Sequence, residues 1–80
     1  MKKTFIVQVH GYWGRGQTLK TAAEQCKKAG GRGRDVAVAT LVIGDDTACI
    51  SGICIEYAQG SEVIEIGKGF SLGSLLRLRD

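Results

Sequence analysis

Eighty residues, 44% hydrophobic and 24% charged, can bury one hydrophobic core and leave no room for a second, so residues 1–80 read as a single domain. That balance excludes a disordered chain, and no apolar run approaches the roughly 20 residues of a membrane-spanning helix. The net charge of +3 conceals a polarity: residues 1–34 carry eight basic side chains against Glu24 alone, whereas residues 35–80 are net acidic. Such segregation bears on partners and encounter rates rather than on fold.

Met1-Lys2-Lys3-Thr4 has the basic start of an export signal, but Gln8 and His10 break the following apolar run too early for a signal core, and the chain reads as not exported. Thr4–His10 is rich in β-branched and aromatic residues and predicts a first strand, with Phe5, Val7 and Val9 on one face and Ile6, Gln8 and His10 on the other. Three glycines among residues 11–16 then predict a loop. Thr18 is a good helix N-cap, and Leu19, Ala22, Ala23, Cys26 and Ala29 recur at helical spacing. The helix is therefore expected over 19–29, with Lys20, Glu24, Lys27 and Lys28 opposite and Gly30-Gly31 as its cap. Val36–Ile43 has the length and composition of a buried strand. Gly44–Thr47 reads as a turn, Ala48–Tyr57 as a strand with a bulge at Gly52, and Glu62–Ile66 as an alternating strand. Gly67-Lys68-Gly69 predicts a further turn, after which Ser71 caps a short helical turn carrying Leu72, Leu75 and Leu76.

These elements predict an α+β, two-layer sandwich in β-α-β-β-β order. One main helix would pack on a mostly antiparallel four-stranded sheet, followed by a short C-terminal helical turn. The second sheet face is expected to be uncovered, displaying some of Ile6, Gln8, His10, Glu56, Tyr57 and Glu65.

The most distinctive motif is Gly11-Tyr12-Trp13-Gly14-Arg15-Gly16-Gln17-Thr18, between a strand and a helix. Its spacing matches the phosphate-binding pattern G-x-x-x-x-G-K-[ST], except that Gln17 stands where the lysine that reaches the β and γ phosphates is required. Nucleotide hydrolysis is excluded on that ground. Gly14, Gly16, Gln17 and Thr18 remain a candidate anion-binding loop, competing with a tight glycine turn that holds nothing. Tyr12, Trp13 and Arg15 are residue types enriched at binding hot spots, and Trp13 could equally close the edge of a small core. Lys20, Lys27, Lys28, Arg32 and Arg34 form a candidate basic stripe for a polyanion or an acidic protein.

His10, the only histidine, has no partner at catalytic spacing, and Asp45-Asp46 reads as turn chemistry. Cys26, Cys49 and Cys54 make neither a C-x-x-C pair nor an even framework, so reduced cytoplasmic thiols are expected, with no structural zinc. The expectation is a protein without enzymatic activity, metal or cofactor.

The His10–Thr18 segment, the Lys27-Lys28-Ala29-Gly30-Gly31-Arg32-Gly33-Arg34 stretch and the small single-domain chain resemble, over the whole length, the accessory proteins of phages and other mobile elements of anti-CRISPR type. The resemblance assigns no residue roles. It implies a non-enzymatic inhibitor in the host cytoplasm, occupying a protein or nucleic-acid site on a host defence complex. Two alternatives stay open: a small domain binding DNA or RNA directly, and a structural or assembly protein that dimerises through the open sheet face. No membrane partner is expected, and the chain is read as a monomer or small homo-oligomer.

Overall fold

The computed structural model describes residues 2–44, 49–51, 54–56 and 60–79. Strand β1 (Lys2–Val9) reverses through His10 and Gly11 into β2 (Tyr12–Gly16), with Val9 opposite Tyr12 and Gly11 at φ +83°. A two-residue hairpin turn favours such positive φ values. Residues 12–16 are thus a strand and not the expected loop. Gly14 and Gly16 lie opposite Val7 and Phe5, so both face the helix layer, where the lack of a side chain outweighs their poor strand propensity.

Helix α1 (Leu19–Ala29) begins where the Thr18 hydroxyl accepts the Thr21 N–H at 3.1 Å. It ends in a Schellman cap: Gly30 N–H donates to the Lys27 carbonyl and Gly31 N–H to that of Cys26, both at 3.0 Å. Of Leu19, Ala22, Ala23 and Cys26, expected on the buried face, the last three are buried, whereas Leu19 in the first turn is half-buried against the core. Strand β3 (Val36–Gly44) pairs with β1 on one side. Two short strands, β4 (Cys49–Ser51) and β5 (Cys54–Glu56), pair with each other, Ser51 opposite Cys54. They stand where a single strand was expected over 48–57. Gly52, Tyr57, Asp45 and Asp46 lie outside the described residues.

Strand β6 (Glu62–Ser71) pairs with the far side of β3 and completes an antiparallel sheet in the order β2-β1-β3-β6. It runs five residues beyond the expected Glu62–Ile66. Gly67-Lys68-Gly69 is not a turn between elements but part of the strand, where two register shifts absorb it. The Ser71 hydroxyl then accepts the Ser74 N–H at 3.2 Å and caps α2 (Leu72–Leu76), which buries Leu72 and Leu75.

The fold is therefore α+β in two layers, one main helix and a short C-terminal helix on a four-stranded antiparallel sheet. The helix falls after the second strand rather than after the first. Its core joins Val7 and Val9 of β1, Ala22, Ala23 and Cys26 of α1, Ala37 of β3, and Leu72 and Leu75 of α2. Small residues dominate it, which lets α1 lie close on β1 and β2; full burial of each leucine contributes about 1.5–3 kcal/mol. The opposite sheet face is not open at its centre. Ile6, expected on display, is only 2% exposed and Val42 5%, while Gln8 is half-buried and His10 and Glu65 are exposed.

Candidate functional site

The Schellman cap leads directly into a turn that shapes the basic connector. Arg32 N–H donates to the Asp35 carboxylate at 2.9 Å, and Asp35 N–H returns to the Arg32 carbonyl at 2.9 Å. Helix α2 pins this turn from outside: Leu72 N–H donates to the Asp35 carbonyl at 2.9 Å and Gly73 N–H to that of Gly33 at 2.8 Å. The backbone between the two helices is held in place while Arg32 and Arg34 are exposed.

Tyr12 completes this end of the molecule. A Cβ at Gly30 would stand 2.5 Å from the Tyr12 ring, so the ring lies against the helix cap, still 44% exposed. Lys27 and Lys28, both exposed, occupy the last turn of α1, where cations favour the helix dipole. Tyr12, Lys27, Lys28, Arg32 and Arg34 thus share one end of α1. Trp13 and Arg15 do not join them. They lie opposite Gln8 and Ile6, on the sheet face away from the helix, with Trp13 half-buried and Arg15 exposed. Lys20 sits half-buried in the first turn of α1, roughly 10 Å along the axis from Lys27 at 1.5 Å per residue. His10 is exposed in the β1–β2 turn.

The anion-loop candidates have a packing explanation. A Cβ at Gly14 would come 2.2 Å from the Cys26 backbone nitrogen and 2.4 Å from the Ala22 carbonyl oxygen; one at Gly16 would meet the Thr21 side chain at 2.6 Å. Their spacing of two places both beneath the helix, whose facing residues are themselves small. The Thr18 hydroxyl is engaged in capping, and Gln17 is exposed.

Among the described acidic residues of the second half, Asp35 lies within the arginine turn itself, while Glu62 and Glu65 lie toward the start of β6. Ser71, at the far end of β6, pairs with Val36 beside that turn, so Glu65 is six residues along the strand from it, at most roughly 20 Å at 3.2–3.4 Å per residue. Exposed charges that far apart exceed the Debye length of about 8 Å at physiological salt, so Glu65 does little to neutralise the arginines. Burial pushes the Cys26 thiol above its ordinary value of 9.0, a backbone hydrogen bond with Val9 opposes this, and the Asp35 charge adds to it. Cys26 is a protonated core side chain and not a nucleophile.

Sequence reasoning missed Asp35, which organises the arginine turn. Its signal was present: an aspartate three residues after Arg32 in a Gly-rich stretch is placed to return to a backbone N–H. Among the described residues, no three His, Cys, Asp or Glu side chains group to hold a metal, and no helix is long and apolar enough to cross a membrane. No protein-family model, curated protein or solved structure matches the chain.

Proposed function

We propose that the chain is a non-enzymatic binding protein that docks the basic end of α1 on exposed phosphates of a nucleoprotein complex. Its specific form is a phage-type inhibitor acting in the host cytoplasm on a defence complex. The observation that carries this reading is the arginine turn, fixed by Asp35 and by α2 before any partner arrives. Pre-ordering Arg32 and Arg34 lowers the entropic cost of association, and Lys27 and Lys28 extend the same positive surface. Tyr12 adds an aromatic face that can stack beside them.

Titration against duplex DNA, single-stranded RNA and candidate nucleoprotein complexes at two salt concentrations tests it. Replacing Arg32 and Arg34 with Ala should weaken binding and make the log-affinity against log-salt slope shallower by roughly 0.7–0.9 for each phosphate no longer neutralised. Asp35→Ala separates pre-ordering from net charge. It makes the chain more positive, so charge alone favours tighter binding, whereas loss of the turn weakens it. An Arg pair silent in every assay that registers binding sinks the proposal. An Arg effect confined to association rate with a protein target, with Tyr12→Ala speeding dissociation, replaces phosphate with an acidic protein surface.

A further inference from the structure

The geometry at Gly30 fixes how the Tyr12 ring lies. A Cβ built on Gly30 would stand 2.5 Å from Cε1 of the ring, 2.7 Å from Cζ and 3.0 Å from Cδ1. Approach in the plane of the ring would leave both neighbours of the atom it meets distinctly farther off. The small increments between the three distances instead place that Cβ over the face of the ring. One π face of Tyr12 therefore lies against the Gly30 backbone, and because the residue is still 44% exposed, its exposure falls on the other face and the rim.

The seat of the ring is backbone and does not rotate away. Gly30 holds φ +133° in the Schellman cap, where glycine both ends the helix and leaves room for the ring. Tyr12 is also fixed from its own side, as the β2 residue paired with Val9. An aromatic face presented in this way loses little further freedom when a ligand arrives.

Cations flank the face. Lys27 is one turn back from Gly30, whose N–H donates to its carbonyl, and residues three apart on a helix are surface neighbours. Arg32 follows Gly30 by two residues, so their Cα atoms are at most roughly 7 Å apart. A flat π face between fixed cations matches a planar base with a phosphate on either side. A duplex keeps its base faces inside its own stack, whereas a single strand offers base faces and phosphates together. An acidic protein surface would use the cations but has no repeating planar group to lay on the ring.

We propose that the exposed face of Tyr12 is a stacking platform for one unpaired base of a single-stranded nucleic acid, whose flanking phosphates meet Lys27 and Arg32. Stacking rests on the basic end of α1 meeting phosphates, as proposed above, and adds what lies between them. Recognition is sequence-tolerant, because every base has a π face.

The test is fluorescence anisotropy titration of the full chain against three labelled probes of about twelve nucleotides: a single strand, the same sugar-phosphate backbone without bases, and a duplex. The parent should bind the single strand roughly tenfold more tightly than the abasic strand. Tyr12→Leu keeps apolar packing on Gly30 and should erase that preference, leaving abasic and duplex binding and the salt slope unchanged. Tyr12→Phe should retain the preference, and circular dichroism verifies that both variants keep the fold. Arg32→Ala should weaken the single and the abasic strand alike. Equal binding of those two strands by the parent overturns the platform. So does a preference that survives Tyr12→Leu or is lost in Tyr12→Phe, or a Tyr12→Leu effect as large on the duplex; in each case the arginine effect leaves phosphate docking standing. A chain that binds none of the three probes overturns phosphate docking and the platform with it.

Discussion

The two edges of the sheet carry nearly the same tripeptide, Gly14-Arg15-Gly16 in β2 and Gly67-Lys68-Gly69 in β6, and its glycines do opposite things. In β2 the alternation is regular, both glycines face α1, and the space for a side chain is filled by helix backbone at Gly14 and first by the Thr21 side chain at Gly16. In β6 the pairing slips twice, Gly69 takes φ +93° in open space, and the nearest atoms to a side chain at Gly67 would be those of the Phe70 ring. One pair of glycines is closed in by the helix layer and the other is not. A glycine pair at a spacing of two becomes informative only once the opposing layer is known: small residues opposite it mean close approach, and open space means backbone freedom.

The largest expected effect breaks the closed edge. In Gly14→Ala the new methyl meets two backbone atoms of α1, neither of which can rotate away, so the helix must lift or the strand bend. The expected loss is about 3 kcal/mol or more, beyond ordinary overpacking, measured by equilibrium urea denaturation. Total stability for a domain of this size is about 4–12 kcal/mol, so the variant should lose a quarter or more of it and unfold at a clearly lower urea concentration. A midpoint within experimental error of the parent would mean that α1 does not lie on β2 as described.

A second test asks whether the α1–β1 contact beneath that helix is dry. Because the folded-state thiol of Cys26 is raised above the unfolded value, the folded protein holds this proton longer than the unfolded one does. The resulting stability is complete below the ordinary thiol value near 9.0 and falls as pH rises through the raised value. The slope is at most about 1.4 kcal/mol per pH unit. Denaturation midpoints between pH 8 and 10.5 should decline more steeply for the parent than for Cys26→Ala, whose difference isolates this group from the lysines. Parallel pH profiles would place water at the thiol.

Much of α1 was legible because local chemistry decides it: Thr18 caps one end, Gly30-Gly31 the other, and Ala22, Ala23 and Cys26 mark the buried face. The short helix capped by Ser71 was legible for the same reason. What failed was the reading of glycine. Strand β2 was hidden by Gly14 and Gly16, whose local preference is against a strand, and β6 was cut short at Gly67. In both places the deciding contact comes from a residue distant in sequence, Cys26 for Gly14 and Ala39 for Gly67. The basic residues at the end of α1 could be picked out individually, but their grouping with Tyr12, and the separation of Trp13 and Arg15 from them, follows from which face of β2 each occupies. That assignment needed the strand to be known first.

The smallest effects test the open edge. Gly69→Ala adds a methyl where nothing stands within 4 Å, but at a φ that side chains rarely adopt, so it should cost about 1 kcal/mol through the backbone alone. Gly67→Ala reverses the balance: its φ is ordinary, and the new Cβ would lie 2.5 Å from the Phe70 ring. Phe70 is 40% exposed, so the ring can swing outward, and the better strand propensity of alanine offsets part of what moving the ring forfeits. The net change should be within about 0.5 kcal/mol by equilibrium urea denaturation. The order Gly14→Ala, Gly69→Ala, Gly67→Ala is the sharp form of the comparison, because it ranks backbone collision above backbone strain and both above displacement of an exposed ring. A loss at Gly67 as large as at Gly14 would show that the Phe70 ring cannot move, making the β6 edge as rigidly filled as the β2 edge.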